Sequence, residues 1–297
     1  TGLAAMAGSP ESGYNVRAVL DALQGSGRIT VPGEGSWPAP DGIAELVLAT
    51  QPTGTATRAG SGAPTEAYTS GGPTGGHQYG CATNAAMYAL MSGASNDSPH
   101  GHADVGNVVV RHGEQSVLAD LGQRDYGFRG RPVWRAATKA HTTVGIARPG
   151  GAVEQRAGGS GTVAVDGADL VMTGDAALNG VTAWERRVSL TDASVRIADR
   201  LSSSAAVPLS VSYLVGAPRS AVTDAGDGTL HVRLADGSTW QLVPPAGLPA
   251  TVTDAAPSPP YVDAPSIEPL AQSRTLVTVT ATVHGTLDLV AEVRKVG

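Results

Sequence analysis

His100 and His102 stand one residue apart in the stretch "DSPHGHADVGNVVVRHGEQSVLADLGQRDYG", residues 97–127 of a chain with only seven histidines. On an extended segment, side chains at i and i+2 project to the same side. Such a pair can hold a metal, or one ring can ligate while the other faces a substrate. Neutral imidazole is a common zinc ligand, and zinc takes three or four N, O or S donors. Further donors must come from elsewhere, and the candidates are Asp120 in "VLADLG" and His141 in "KAHTTVG". A regular hairpin centred near Gly113 sets Asp120 opposite a residue near Asn107, some way from His102, and Gly106 could permit a bend that closes the gap. The plainer alternative is a polar turn whose two histidines are merely exposed.

A second group follows at once. Arg124, Arg129, Arg131, Arg135, Lys139 and Arg148 fall between Leu121 and Arg148 against one acid, Asp125, in a chain whose net charge is −6. Arginine suits carboxylate or sulfate recognition through paired hydrogen bonds. A solvated loop with scattered charge is the competing account. Tyr126 lies inside this segment and can act as acid or base only if its surroundings shift its pKa; otherwise it packs. His77, His112, His231 and His284 have no partners at ligand spacing, and Trp184 and Arg186 in "TAWERRVSL" share one face of a strand. A phosphate loop, a G-x-S-x-G elbow and a CxxC pair are absent from the sequence.

The elements that must position these groups are mostly strands. Residues 14–24 place Val16, Val19, Leu20 and Leu23 at helical spacing before Gly25, and 42–51 suits a second short helix. Residues 52–76, rich in Gly, Thr, Ser and Pro, form a linker or long loop. "NVVVRHGEQSVLADLG" predicts a hairpin, and "LHVRLADGSTWQLV" predicts another around Asp236-Gly237. "SVRIADRL", "PLSVSYLVG", "RTLVTVTATV" and "TLDLVAEVRKV" predict four more strands. Many strands without helical crossovers give a mainly β chain, an antiparallel β-sandwich with a short helical N-terminal segment. Low charge and an acidic balance argue against nucleic acid and acidic membranes as partners. No apolar run approaches the roughly 18–20 residues that span a bilayer. Cys81 is alone, which excludes an intramolecular disulfide and suits a small buried residue.

"HGHADVGNVVVRHGEQSVLADLGQRDY", followed by "RAATKAHTTVG", resembles the C-terminal β-sandwich of the heparinase II/III-like polysaccharide lyases. That family shows H-x-H-x-D, a strand, a Gly turn, a D-x-G…Y segment, an Arg-containing loop and then (S/T)-x-x-HNT-V. Thr142 stands where Asn is usual. The match is best from about Ala82 to Val144, and "VTAWERRVSLTDASVRIADRL" fits the later strands more loosely.

The resemblance implies that His102, Asp120 and His141 hold a structural zinc. It implies that His100 and Tyr126 face an active cleft as catalytic groups, and it gives Arg124, Arg129 and Arg135 a polyanion to bind. The chemistry it implies is β-elimination on a uronate polysaccharide, in a secreted or periplasmic setting. Members of the family place a helical toroid before the sandwich. Here about sixty residues precede it, so 1–62 is expected to be an N-terminal segment with a remnant of such a toroid, and 63–297 the sandwich of a C-terminal lyase portion that needs a helical partner. A non-catalytic carbohydrate-binding or structural sandwich is the alternative. A third reading, a metal-dependent jelly roll of the cupin kind, wants a Glu soon after His-x-His, where this sequence has Asp104.

Overall fold

Strands β11 (Ser194–Val215) and β16 (Thr275–Val296) are each 22 residues long and run antiparallel from Ser194↔Arg294 to Val215↔Thr275. Alternation drives this pairing: Val195, Ile197 and Leu201 are buried on β11, as are Leu289, Ala291 and Val293 on β16, while Arg196 and Arg200 point to solvent. The four strands expected from the sequence here are two. Pro208 and Gly285, which punctuate the sequence, sit inside the ladder at a shared irregularity. The register shifts between Ser203 and Val207, and Gly285 opposite Ser203 takes φ 79°. A bulge in one strand faced by a left-handed glycine in the other bends the pair without ending it.

The structure is a computed structural model that describes residues 65–71, 77–84, 86–96, 102–113, 115–121, 137–174, 177–255 and 273–296. These all belong to the unit Ser61–Gly297. The helices expected at 14–24 and 42–51 and the N-terminal segment 1–62 lie outside the described residues; of the expected 52–76 linker, Glu66–Gly71 is a strand rather than loop, because its backbone pairs with His77–Thr83.

Around the long pair the remaining strands branch, every pairing antiparallel, into one network of sixteen strands among the described residues. The first half of β11 pairs with β10 (Ala183–Leu190), which leads to β9 (Asp169–Thr173) and β8 (Thr162–Asp166). Its second half meets β6 (Val144–Ala147), which carries β7 (Val153–Glu154), and β5 (Gln115–Leu118). From β5 the order runs to β4 (Val108–His112), β3 (Met87–Ala94), β2 (His77–Thr83) and β1 (Glu66–Gly71). On the other side β16 pairs with β15 (Ala250–Asp254) and with β14 (Thr239–Val243), followed by β13 (Leu230–Arg233) and β12 (Val222–Asp224). The β13–β14 hairpin forms as the sequence predicts, with Val232 opposite Trp240 and Gly237 at φ 84°.

Strand β8 lies over β2 and β3 rather than beside them. Cβ atoms at Gly80 and Gly93 would stand 2.5 and 2.7 Å from the Val163 methyls, so glycine is what allows the two layers to approach. Gln78 bonds the β8 backbone across this gap, donating to Val163 O at 2.9 Å and accepting from Val163 N at 3.0 Å. Between the layers Leu170, Met172 and Trp184 are buried with Met91 and Val108. Each such side chain contributes about 1.5–3 kcal/mol by leaving water. Cys81 is buried, as its sequence context suggests.

Candidate metal centre

Residues 102–107 of the β3–β4 connection carry the first ligand candidates and are shaped by a tight turn. Gly106 takes φ 75°, and a Cβ there would lie 2.6 Å from Met172 Cε and 3.0 Å from the Trp184 ring. Only glycine meets both demands, and the bend that Gly106 permits is present. Ser92 on β3 holds the turn: its hydroxyl donates to Asp104 O at 2.6 Å, its carbonyl accepts from Gly106 N at 2.8 Å, and its Oγ accepts from Asn107 N at 3.0 Å.

The second loop runs from a single 3₁₀ turn, Thr138–Ala140, through His141 to β6. Two amide side chains and a hydroxyl tie it to the first. Asn107 accepts from Thr142 N through Oδ1 at 2.9 Å. Thr143 Oγ1 donates to Val105 O at 2.6 Å, and Gln155 Nε2 donates to Val105 O and Val144 O at 2.8 and 2.9 Å. Beneath both loops Arg186, fully buried on β10, donates from Nη1 to Gly106 O at 2.7 Å and Thr142 O at 2.9 Å. Thr142, the departure from the HNT pattern, is itself buried, and its hydroxyl accepts from Leu214 N at 3.0 Å.

These ties bring His102, Asp104 and His141 together, one ligand atom from each lying within 4.8 Å of the others. The two imidazole centroids are 5.1 Å apart. Asp120 follows β5 and stands against His141: its Oδ2 is 2.8 Å from His141 Nδ1 and accepts from Asn107 Nδ2 at 2.6 Å. His141 is fully buried, and His102 and Asp104 are half-buried.

Charge at this point is poorly solvated. Burial pushes the Asp104 carboxyl up to about 6; His141 opposes the rise and Asp120 reinforces it. Burial, then Asp104 and Asp120, raise the Tyr79 phenol as well. Two carboxylates held close in a region of low polarisability destabilise each other, and a cation between them removes that cost. The candidate donor set is two imidazoles, His102 and His141, and the Asp104 carboxylate, while Asp120 hydrogen-bonds the His141 ring at Nδ1. That mixture suits zinc, whereas magnesium and calcium favour oxygen alone. The residues therefore fit a zinc ion, with Asp120 placed to orient the His141 ring through Nδ1.

Of the residues singled out from the sequence, His102, Asp120 and His141 meet in one place. Asp104 joins them unassigned, although it lies two residues past His102 and so on the same side of an extended segment. Arg186, Asn107 and Gln155 gave no sequence signal of a site, because their partners are backbone groups or residues 12 or more positions away. His100, Tyr126, Arg124, Arg129 and Arg135 lie outside the described residues.

Comparison with known proteins bears on the fold and the family. A search of curated proteins finds no match. Among solved structures, the chain resembles a heparinase III at TM-score 0.53 and 12% identity, over 73% of this chain and 35% of that one. A second heparinase III gives TM-score 0.55 and 15% identity over 86% and 38%. The heparan sulfate lyase HepC from Pedobacter heparinus gives 0.51 and 14% over 87% and 39%. At these identities the likeness is one of fold, and the chain spans well under half the length of each. The protein-family model described as Heparinase II/III-like, C-terminal matches residues 70–287, and the chain belongs to that family.

Proposed function

We propose that this chain is the C-terminal sandwich, residues 63–297, of a polysaccharide lyase acting on a uronate-containing polysaccharide outside the cytoplasm, with a structural zinc held by His102, Asp120 and His141. The carrying observation is the cluster of His102, Asp104 and His141, with Asp120 bonded to His141, inside a chain matched by the heparinase II/III-like C-terminal family. Asp104 supplies a further carboxylate to the same ion. Zinc, when bound, cross-links the β3–β4 loop to the loop before β6 and neutralises the two acids; it takes no part in the chemical step.

In β-elimination a base removes the proton α to the C6 carboxylate, a C4–C5 double bond forms, and the 4-O-linked sugar leaves and takes up a proton. The α proton is weakly acidic, so the site must stabilise charge developing on the carboxylate. His100 and Tyr126 are the groups of this chain assigned to the cleft, for charge neutralisation and proton movement. Arg124, Arg129 and Arg135 bind the carboxylate or sulfate groups of the chain being cut. The other half of the cleft is supplied by a helical toroid, as a domain or a partner chain.

The test uses the full-length protein that contains this chain, with ultraviolet absorbance of the unsaturated product on heparan-type, alginate and hyaluronan-type substrates. His100→Ala is expected to abolish turnover with zinc retained. Undiminished turnover by that variant would remove His100 from the cleft. Zinc binding with no product on any uronate would favour a non-catalytic carbohydrate-binding sandwich.

A further inference from the structure

The buried Arg186 guanidinium occupies a position that the zinc site, as proposed above, does not explain. It is held from one side by Asp199 on β11, with Nε donating to Oδ1 and Nη2 to Oδ2, both at 2.8 Å. Trp184 Nε1 donates to the same Oδ1 at 2.8 Å, and the guanidinium carbon lies 5.6 Å from the centre of the Trp184 ring. Asp199 is therefore saturated by rigid neighbours, which fixes the plane of the guanidinium. The one remaining nitrogen, Nη1, reaches Gly106 O at 2.7 Å and Thr142 O at 2.9 Å.

Those two carbonyls are not a random pair. Gly106 lies two residues after Asp104, and Thr142 directly follows His141. One nitrogen thus bridges the two segments that bring ligands to the site from opposite sides of the cluster. A buried Arg–Asp pair is a weak source of stability compared with an apolar pair of the same volume. Its retention is better explained by what its geometry fixes. Val108 N also donates to Thr142 O, at 3.1 Å, so that carbonyl keeps a partner without Arg186 and the loop backbone does not depend on the arginine alone.

We propose that Arg186, oriented by Asp199 and Trp184, is a positioning residue for the metal centre: it sets the separation of the His102–Asp104 segment from His141 and thereby the affinity and geometry of metal binding. This rests on the zinc reading above. It places the control of the site in the strand pair β10–β11, outside the ligand-bearing loops.

Two variants test it in the intact protein. Arg186→Met with Asp199→Asn removes both charges together, and the amide oxygen that replaces the carboxylate can still accept from Trp184, so neither charge is left buried alone. Arg186→Lys keeps the charge beside Asp199 but cannot span two carbonyls and a carboxylate. Folding is checked by circular dichroism in chelator, zinc affinity by competition with a chelator, and ligand geometry by the visible spectrum of the cobalt(II)-loaded protein. The expected result is folded protein with zinc affinity about 10–100-fold weaker and an altered cobalt spectrum. Folded variants with unchanged affinity and spectrum would overturn the proposal. Loss of folding in both variants would also overturn it, by making Arg186 a structural residue only. An unaltered protein that binds neither metal would instead overturn the zinc reading and this inference with it, an outcome visible before any variant is made.

Discussion

Two buried polar clusters sit back to back in this sandwich, and they are finished to different degrees. Around Arg186, the protein supplies every counter-charge: Asp199 takes two bonds from the guanidinium and one from Trp184, and the remaining nitrogen is spent on two carbonyls. Around His141, two carboxylates face two imidazoles, and the Asp104 carboxyl is pushed up to about 6 by burial with Asp120 adding to the rise. The first cluster is electrically complete without a ligand. The second sets two carboxylates among two imidazoles in a place that solvates charge poorly, and under the zinc reading a cation completes it. A buried ion pair and a metal site can look alike as residue lists; the balance of charge separates them.

The largest effect that would break this contrast lies in the complete cluster. Asp199→Ala leaves Arg186 charged and buried, and unfolding in denaturant is expected to show a loss of about 3–5 kcal/mol. A loss below about 1 kcal/mol would mean that water reaches Arg186. In the incomplete cluster the penalty should depend on metal. For the unaltered protein at zinc a hundredfold above Kd, the metal is expected to add about 2.7 kcal/mol, removable by chelator. His102→Ala should abolish that chelator response, and a response retained in full would exclude His102 as a ligand. Gly106→Ala comes next, at about 1–3 kcal/mol, because a left-handed φ of 75° and a Cβ 2.6 Å from Met172 Cε oppose it; wild-type stability in thermal unfolding would contradict the turn described here. At the small end stand His100→Ala and Glu154→Gln, the latter breaking the exposed Arg148–Glu154 pair at 3.1 Å. Each should shift stability by no more than about 0.5 kcal/mol. Equal destabilisation by His100→Ala and His102→Ala would erase the division between a substrate-facing and a metal-facing histidine.

Local chemistry was legible in the sequence wherever the fold obeys it locally. Asp236-Gly237 announces the β13–β14 hairpin because a short turn needs a residue that tolerates positive φ, and Gly106 announces its bend for the same reason. Alternating Val, Ile and Leu marks the strands. Length misled: Pro208 and Gly285 look like strand ends, yet each sits within a 22-residue strand because the partner strand bends with it. That compensation is a tertiary fact and leaves no trace in either segment alone. The site divides in the same way. His102, Asp120 and His141 were found through a composite motif, and Asp104 was within reach of the i, i+2 rule that drew attention to His100 and His102. Arg186, Asn107 and Gln155 were invisible, since they act through carbonyls, amides and distant side chains that no motif encodes.

The central claim is that His102, Asp104, Asp120 and His141 form a zinc site, and elemental metal analysis of the purified protein tests it most directly. About one zinc per chain, lost with chelator and regained on adding zinc, is the predicted result. Folded protein that contains no metal and takes up none from added zinc would contradict the account.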